Sequence, residues 1–281
     1  MDLIFATCES LPGITPDDQP LADALGALGV AARGVPWTDI APGGDTPVLL
    51  RSTWDYYLHA DRFRAWLDAL AASGTRVFNP PAIAAWNMDK AYLGELSQAG
   101  VTIPRTRWVG RPDADALERV LAEEGWRAAV LKPRISATAH GTMIIRPDAM
   151  PSAADLAPVR AAGALVQEFV AEVRDHGELS LVYFDGAYSH AVRKRARPGD
   201  FRVQSDHGGT VEDAVPSEAS RALAAAAIAA APGPCLYARV DLVEAAAGPL
   251  LMELELIEPE LFLLHDRRAA GRLADLINLV I

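Results

Sequence analysis

The stretch Leu250–Ile257 constrains this chain most, because apolar and acidic residues alternate through Leu250-Leu251-Met252-Glu253-Leu254-Glu255-Leu256-Ile257. Alternation with period two marks a half-buried strand, so Glu253 and Glu255 share one face. Upstream, Leu236 to Val243 reads as a second strand, with Arg239, Asp241 and Val243 alternating against Val240 and Leu242. Gly248-Pro249 closes the turn between them. A hairpin centred near Ala247 sets Asp241 opposite Glu253 and Arg239 opposite Glu255. Three carboxylates on one sheet face repel, and buried carboxylates need partners. A hard divalent cation would resolve the conflict, above all Mg²⁺ with nucleotide phosphates. The ordinary alternative is a solvated acidic face neutralised by Arg239 and other basic residues.

Composition narrows the partners. The 281 residues suffice for two or three units, and 51% hydrophobic with 22% charged residues fits a globular protein. A net charge of −11 argues against nucleic acid, which needs a basic surface. It leaves room for a nucleotide held by a local basic pocket. Cys8 and Cys235 are far apart and read as buried small residues rather than a disulfide or zinc set. The start Met1-Asp2-Leu3-Ile4-Phe5 lacks a basic leader, and the apolar run Ala222 to Ala231 is alanine-rich and stopped by Pro232. No membrane partner and a cytoplasmic location are therefore expected. Oligomeric state is open, a homodimer being the common case.

The N-terminal third alternates strand and helix. Strands are expected at Leu3–Thr7, near Val30–Val35, at Val48–Leu50 and at Thr75–Phe78. A helix starts at Thr15-Pro16-Asp17-Asp18, with Thr15 as cap and the acids at the positive end of its dipole. Leu21, Leu25 and Leu28 keep helical spacing, and Gly29 is its stop. A second helix from about Asp61 carries Phe63, Trp66, Leu67 and Leu70 on one stripe. Such alternation predicts a doubly wound α/β unit with a parallel sheet. Ligands of such sheets gather at the carboxyl ends of strands, where Arg51, Thr53 and Asp55 lie. They are candidates for holding a polar substrate. The alternative is a local Arg51–Asp55 ion pair with Trp54 packed on the core.

Asn79-Pro80-Pro81 looks like a boundary. Beyond it a helix is expected around Asp89–Ala99, an extended segment over Val101–Trp108 and a helix over Leu117–Glu124. Strands at Ala129–Pro133 and Thr142–Ile145 follow, making an α+β unit. The last part opens with a strand at Ala164–Val170. Glu178–Phe184 and Ala187–Lys194 flank Asp185-Gly186, a type I′ turn signal. Two-residue closure sets Phe184 opposite Ala187 and Glu178 opposite Arg193. The units expected are residues 1–84, 85–166 and 167–281.

Several side chains could carry chemistry. Lys132 ends an apolar strand ahead of a loop whose Ser136, Thr138 and Thr142 offer hydroxyls, a plausible phosphate contact without a Walker A order. Lys90 opens a helix and reads by itself as a surface lysine. Gln167 to Val170 could present backbone groups to a purine ring. Arg202, near His207-Gly208-Gly209, suits a carboxylate or phosphate oxyanion. His207 is a candidate proton carrier or a plain loop histidine.

The order of these features resembles the ATP-grasp superfamily over nearly the whole chain. That resemblance implies an N-terminal doubly wound domain followed by two α+β subdomains that clamp ATP. It implies that Lys90 and Lys132 contact the phosphates and that Gln167, Glu168, Phe169 and Val170 receive the adenine. Ser136 and Thr138 fall in the phosphate loop, and Glu172 or Glu178 would meet the ribose. Asp241, Glu253 and Glu255 would hold two Mg²⁺ ions. Arg202 matches an arginine that helps bind phosphate and substrate, with His207 and Gly208 beside it. Two features depart from the pattern. Glu255 stands where the family has Asn, and the phosphate loop holds only Gly141 where the family tends to be glycine-rich.

A narrower likeness rests on Arg51-Ser52-Thr53-Trp54-Asp55-Tyr56, on Trp86-Asn87-Met88-Asp89-Lys90 and on Glu253-Leu254-Glu255. It is similar to the group of cyclo-ligases that close O-ureido-D-serine into D-cycloserine. The function implied is an ATP-dependent carboxylate–amine ligase working through an acylphosphate on an amino-acid-like small molecule. Arg202 and Lys132 would be its catalytic cations. A non-catalytic nucleotide-binding protein, a ligase for another amino acid or peptide, and a small-metabolite kinase are the alternatives.

Overall fold

The computed structural model describes residues 1–160, 162–197 and 208–281. Its first sheet is parallel, with strands β1 (Asp2–Thr7), β2 (Ala31–Pro36), β3 (Val48–Ser52) and β4 (Val77–Phe78) in the order β2-β1-β3-β4. Helix α1 (Gln19–Ala27) buries Leu21 and Leu25 with Leu3, Phe5 and Leu49 on one face. Helix α2 (Ala60–Ser73) lays Phe63, Trp66, Leu67 and Leu70 on Ile4, Ala6 and Leu50 on the other. The sheet is thus doubly wound. The strands read as apolar runs because both faces are covered.

Helix α1 starts at Gln19, later than the Thr15 cap implied. Thr15 Oγ1 accepts from Asp18 N at 3.1 Å, closing a turn ahead of the helix. The acids serve tertiary structure instead of the helix dipole. Asp18 pairs with Arg51 at 2.8 Å, and Asp17 Oδ2 accepts from Leu261 N at 3.1 Å. Leu28 is exposed at the end of α1.

Two short helices, α3 (Pro81–Asn87) and α4 (Tyr92–Gln98), replace the single helix expected at Asp89–Ala99. Lys90 lies in the break between them. A second sheet follows, with β5 (Thr106–Val109), β6 (Ala129–Pro133), β7 (Met143–Ile145) and β8 (Ala164–Glu168) antiparallel in the order β5-β8-β6-β7. Helix α5 (Ala114–Glu124) covers it. Asp113 caps that helix by accepting from Ala116 N at 2.8 Å, and Gly125 ends it at φ 69°. The short helices α6 (Ala157–Arg160) and α7 (Glu172–His176) flank β8.

The third sheet is antiparallel, with β9 (Glu178–Phe184), β10 (Ala187–Arg195), β11 (Thr210–Asp213), β12 (Tyr237–Ala245) and β13 (Gly248–Glu255) in the order β11-β10-β9-β12-β13. Helices α8 (Glu218–Ala229) and α9 (Ala269–Val280) complete the chain, α9 beside α1 in one apolar core. The β9–β10 turn is Asp185-Gly186 as expected, but a bulge at Ser189 shifts the register. Glu178 therefore faces Lys194, and Arg193 faces Leu179. A bulge also occurs in β12–β13. Ala245 pairs with Gly248, and a bulge at Met252 brings Asp241 opposite Glu253 and Arg239 opposite Glu255, as the alternation predicted.

Two asparagines stitch the first sheet to the third. Asn79 donates to the carbonyls of Tyr237 and Leu256 at 2.8 and 2.9 Å and accepts from Leu236 N. Asn87 takes the place of a neighbouring strand for the edge of β13, donating to Leu254 O and accepting from Leu256 N, both at 2.8 Å. Buried backbone groups are paired this way where no strand is available.

Candidate active site

A cavity of about 300 Å³ draws its walls from the second and third sheets and from the segment after β3. Trp54 and Tyr56 come from the loop after β3, and Lys90 and Tyr92 from the break before α4 and from α4 itself. Lys132, Ser136, Thr138 and Thr142 come from β6 and the loop after it. Gln167, Glu168, Phe169 and Val170 form another side, and Glu178, Lys194, Arg239, Glu253, Glu255, Glu258 and Glu260 supply charge. The size suits a small-molecule site.

Lys132 is the least compensated cation of the set. It lines the cavity, and no ion-pair or hydrogen-bond partner of its ammonium is found among the described residues. Burial lowers its pKa, against the attraction of Glu253. Lys90 is anchored instead: Nζ lies 2.8 Å from Glu253 Oε1 and donates to the Ser136 carbonyl at 2.9 Å. Burial alone would lower its pKa, but the neighbouring Glu253 raises it. The helix break places it there, so a lysine that reads as a surface residue is 8% exposed.

The carboxylates share the expected face, but they do not stand as a ready cage. Asp241, 2% exposed, accepts from Arg239 Nε and Nη2 at 3.0 Å each, from Lys194 Nζ at 2.9 Å and from Ser180 Oγ at 2.6 Å. Burial pushes its pKa upward, yet Arg239 and Lys194 outweigh this and hold it well below the carboxylate range. Arg239 also reaches Glu255. Among the described residues no group of three His, Cys, Asp or Glu side chains is disposed to hold a metal ion. The Asp241 oxygens are occupied in this structure by Arg239, Lys194 and Ser180.

The donor chemistry nevertheless fits a hard cation. Burial first, then repulsion from Asp241 and Glu253 against the pull of Arg239, pushes Glu255 to about 7. Burial and Glu255 push Glu258 to about 8. Crowded carboxylate oxygens of this kind are what Mg²⁺ relieves.

The first-sheet candidates are placed differently from the expectation. Arg51 and Thr53 are both buried, and neither belongs to the cavity lining. Arg51 pairs with Asp18 rather than Asp55, and Asp55 accepts from Trp37 Nε1 at 2.8 Å. Their neighbours Trp54 and Tyr56 take the cavity positions. Three donors then fix the segment after β13. Arg51 Nη2 reaches Pro259 O at 2.8 Å, Trp54 Nε1 reaches Glu258 O at 3.0 Å and Arg239 Nη1 reaches Glu260 O at 3.1 Å. That segment carries two of the cavity's glutamates.

Ser136, Thr138, Gln167, Glu168, Phe169 and Val170 all reach the cavity, and Gln167 Oε1 is a buried acceptor without a partner among the described residues. Glu178 also reaches it, but Lys194 holds it at 2.7 Å. Glu172 lies away, accepting from Ala246 N at 3.4 Å. Gly208 is exposed and outside the lining. Arg202 and His207 lie outside the described residues. Side chains of the cavity that were not expected as site residues include Trp54, Tyr56, Tyr92, Lys194, Arg239, Glu258 and Glu260. Lys194 hid behind the bulge at Ser189. Glu258 and Glu260 flank Pro259 beyond the acidic strand and are out of phase with Glu253 and Glu255, so the alternation does not extend to them.

Comparison with known proteins identifies the family. Residues 3–79 match the model of the D-cycloserine synthetase DcsG N-terminal domain, and residues 93–261 match that of the RimK-like ATP-grasp domain. The chain is 34% identical to the cycloserine biosynthesis protein DcsG of Streptomyces lavendulae over 94% of its length and 93% of that protein's. A crystal structure of D-cycloserine synthetase DcsG superimposes with a TM-score of 0.88 at 31% identity, covering 99% of both chains. D-alanine–D-alanine ligase from Bacillus anthracis shares the fold, with a TM-score of 0.67 at 16% identity over 99% of this chain and 96% of that one. Among the described residues no helix is long and apolar enough to cross a membrane.

Proposed function

Since the chain belongs to the ATP-grasp ligases and pairs a RimK-like domain with a DcsG-type N-terminal domain, we propose that it closes O-ureido-D-serine into D-cycloserine. The reaction is an ATP-dependent carboxylate–amine ligation turned inward. A substrate carboxylate oxygen attacks the γ-phosphorus of ATP, giving an acylphosphate and ADP. The aminooxy nitrogen of the ureido group then attacks the acyl carbon, loses a proton and expels phosphate, which closes the ring; water removes the carbamoyl group left on that nitrogen as carbon dioxide and ammonia. Holding nucleophile and acyl carbon in one bound molecule favours ring closure by proximity.

The observation that carries this reading is Lys132, an uncompensated ammonium in a cavity it shares with Trp54 and Tyr56 of the first unit. Such a cation suits a phosphate, and the aromatic wall suits a small substrate beside it. Phosphoryl transfer needs neutralised charge and fixed geometry more than covalent help. Lys132 and Lys90 would balance phosphate charge, while Arg239 and Lys194 line the same cavity as further cations. Gln167 to Val170 would take the adenine. Glu253 and Glu255 would hold magnesium, with Asp241 behind them fixing Arg239 and Lys194. Bound there, Mg²⁺ would supply charge neutralisation for the transferring phosphoryl group. Residues 1–84 would serve as the substrate unit, 85–166 as the lid and 167–281 as the metal-binding unit; three separate sheets support a division into three, although β8 keeps Gln167 and Glu168 with the second sheet.

The test is ADP release from Mg²⁺-ATP with O-ureido-D-serine and a panel of D- and L-amino acids. Stimulation by O-ureido-D-serine with a cyclic product is expected. Stimulation only by another amino acid with an added amine would retain the ligase and discard the ring closure.

A further inference from the structure

The loop between β6 and β7 adopts a backbone that its side chains disfavour. Thr138 lies at φ 51° and Ala139 at φ 56°, followed by Gly141 at φ 69°. Non-glycine residues rarely enter this left-handed region unless their surroundings hold them there. The loop's own bonds, His140 N to Ala137 O at 2.9 Å and Thr142 N to Ala139 O at 3.0 Å, close its turns but do not tie it to anything else.

Three contacts from outside do. Lys90 donates to the Ser136 carbonyl. Ile135 and Ala137 pack on the apolar core between α2 and the parallel sheet, as does Tyr57. The exposed His140 ring lies against Tyr57, with centroids 5.0 Å apart and planes inclined at 38°. Tyr57 belongs to the 3₁₀ turn Tyr56–His59, and its neighbour Tyr56 lines the cavity with Trp54.

We infer that Tyr57 and His140 are positioning residues that seat the phosphate loop on the N-terminal unit and so prepare it for nucleotide. The inference rests on the ligase reading of the cavity. Successive backbone N–H groups of a turn make a concavity that suits an anion, and this loop is built of two turns. No described residue accepts from the N–H of Thr138, Ala139 or Gly141. A loop with Gly141 as its single glycine, released from its seat, spends time in other conformations, and nucleotide affinity falls by the fraction lost. The segment that seats the loop also carries Trp54 and Tyr56. A substrate that orders this segment thereby orders the loop, which couples the two binding events.

The experiment compares wild type with Tyr57→Ala, Tyr57→Phe and His140→Ala. Hydrogen exchange of residues 136–142 is followed without nucleotide, and Mg²⁺-ATP binding and kinetics are then measured. Faster exchange of the loop is expected in both alanine variants, with Tyr57→Phe close to wild type because the ring contact survives. Nucleotide Kd and the KM for ATP should rise about two- to tenfold, the range of one aromatic contact, with kcat at saturating ATP little changed. His140 is exposed, so its variant keeps the fold and decides the matter even where Tyr57→Ala does not. Unaltered loop exchange and Kd in His140→Ala, with wild type binding ATP normally, overturns the inference and leaves the ligase reading standing. Failure of wild type to bind nucleotide overturns both.

Discussion

Lys194 Nζ lies 2.9 Å from Asp241 Oδ2 and 2.7 Å from Glu178 Oε1, and it reaches both because β10 bulges at Ser189. Without the bulge Arg193 would stand opposite Glu178. The bulge leaves Arg193 free to pair with Glu244 at 2.8 Å on the other side of the sheet. A one-residue slip changes which face every later side chain occupies.

Removing Lys194 should therefore destabilise the protein. Lys194→Met leaves Glu178 without its cation and Asp241 with Arg239 and Ser180 only. Breaking a buried ion pair from one side costs about 3 kcal/mol. A lowered urea midpoint at unchanged m-value is expected, and an unchanged midpoint would show that Arg239 alone satisfies the carboxylates.

Lys132→Met should leave the fold intact and remove turnover. Among the described residues its ammonium has no partner to orphan, so stability should change little. Loss of a cation aimed at developing phosphoryl charge lowers kcat by roughly 10²–10³-fold. Steady-state ADP release checks this, and activity near wild type would remove Lys132 from the mechanism.

Glu253→Gln should release Lys90 from its ion pair and weaken the demand for a divalent cation. The expected outcome is a higher Mg²⁺ concentration for half-maximal ADP release, together with a lower kcat. A variant with an unaltered magnesium titration would place the metal on other ligands.

Asn79→Leu should cost about 2–4 kcal/mol, because the carbonyls of Tyr237 and Leu256 and the N–H of Leu236 lose buried partners together. Thermal and urea unfolding measure it. A loss below 0.5 kcal/mol, roughly the smallest net hydrogen-bond contribution, would mean that water replaces the amide.

His190 should make stability fall in mild acid. Its Nε2 meets the Leu261 carbonyl at 2.9 Å and its Nδ1 meets Ser189 Oγ at 2.8 Å. Burial lowers its pKa from the ordinary 6.5, despite the opposing Leu261 carbonyl and Asp266. The unfolded imidazole thus takes up a proton before the folded one does. Its contribution is fully present above about pH 6.5 and is lost as pH falls through the lowered folded value. Urea midpoints at neutral and mildly acidic pH should differ more in wild type than in His190→Gln.

How far the sequence reached can be judged from single elements. The alternation of Leu250–Ile257 with Arg239 and Asp241 gave the pairing of the acidic hairpin, because side-chain period and backbone pleat are the same local property. The stripe Phe63, Trp66, Leu67, Leu70 gave α2 for the same reason. The Gln167–Val170 strand and Lys132 were legible as cavity residues through the ordered motif set. Arg51 was assigned to substrate because it ends a parallel strand, and its burial against Asp18 depends on a residue 33 positions away.

By itself the sequence determined the elements, their alternation and the chemical types that converge on one cavity, since these follow from periodicity, turn chemistry and charge along the chain. Tertiary structure alone decided which cation meets which carboxylate. Bulges at Ser189 and Met252 move side chains between partners, and Tyr57 meets His140 across 83 residues. Such choices are made by packing between distant segments, where a displacement of one residue exchanges one charge for another and leaves no trace in local propensity.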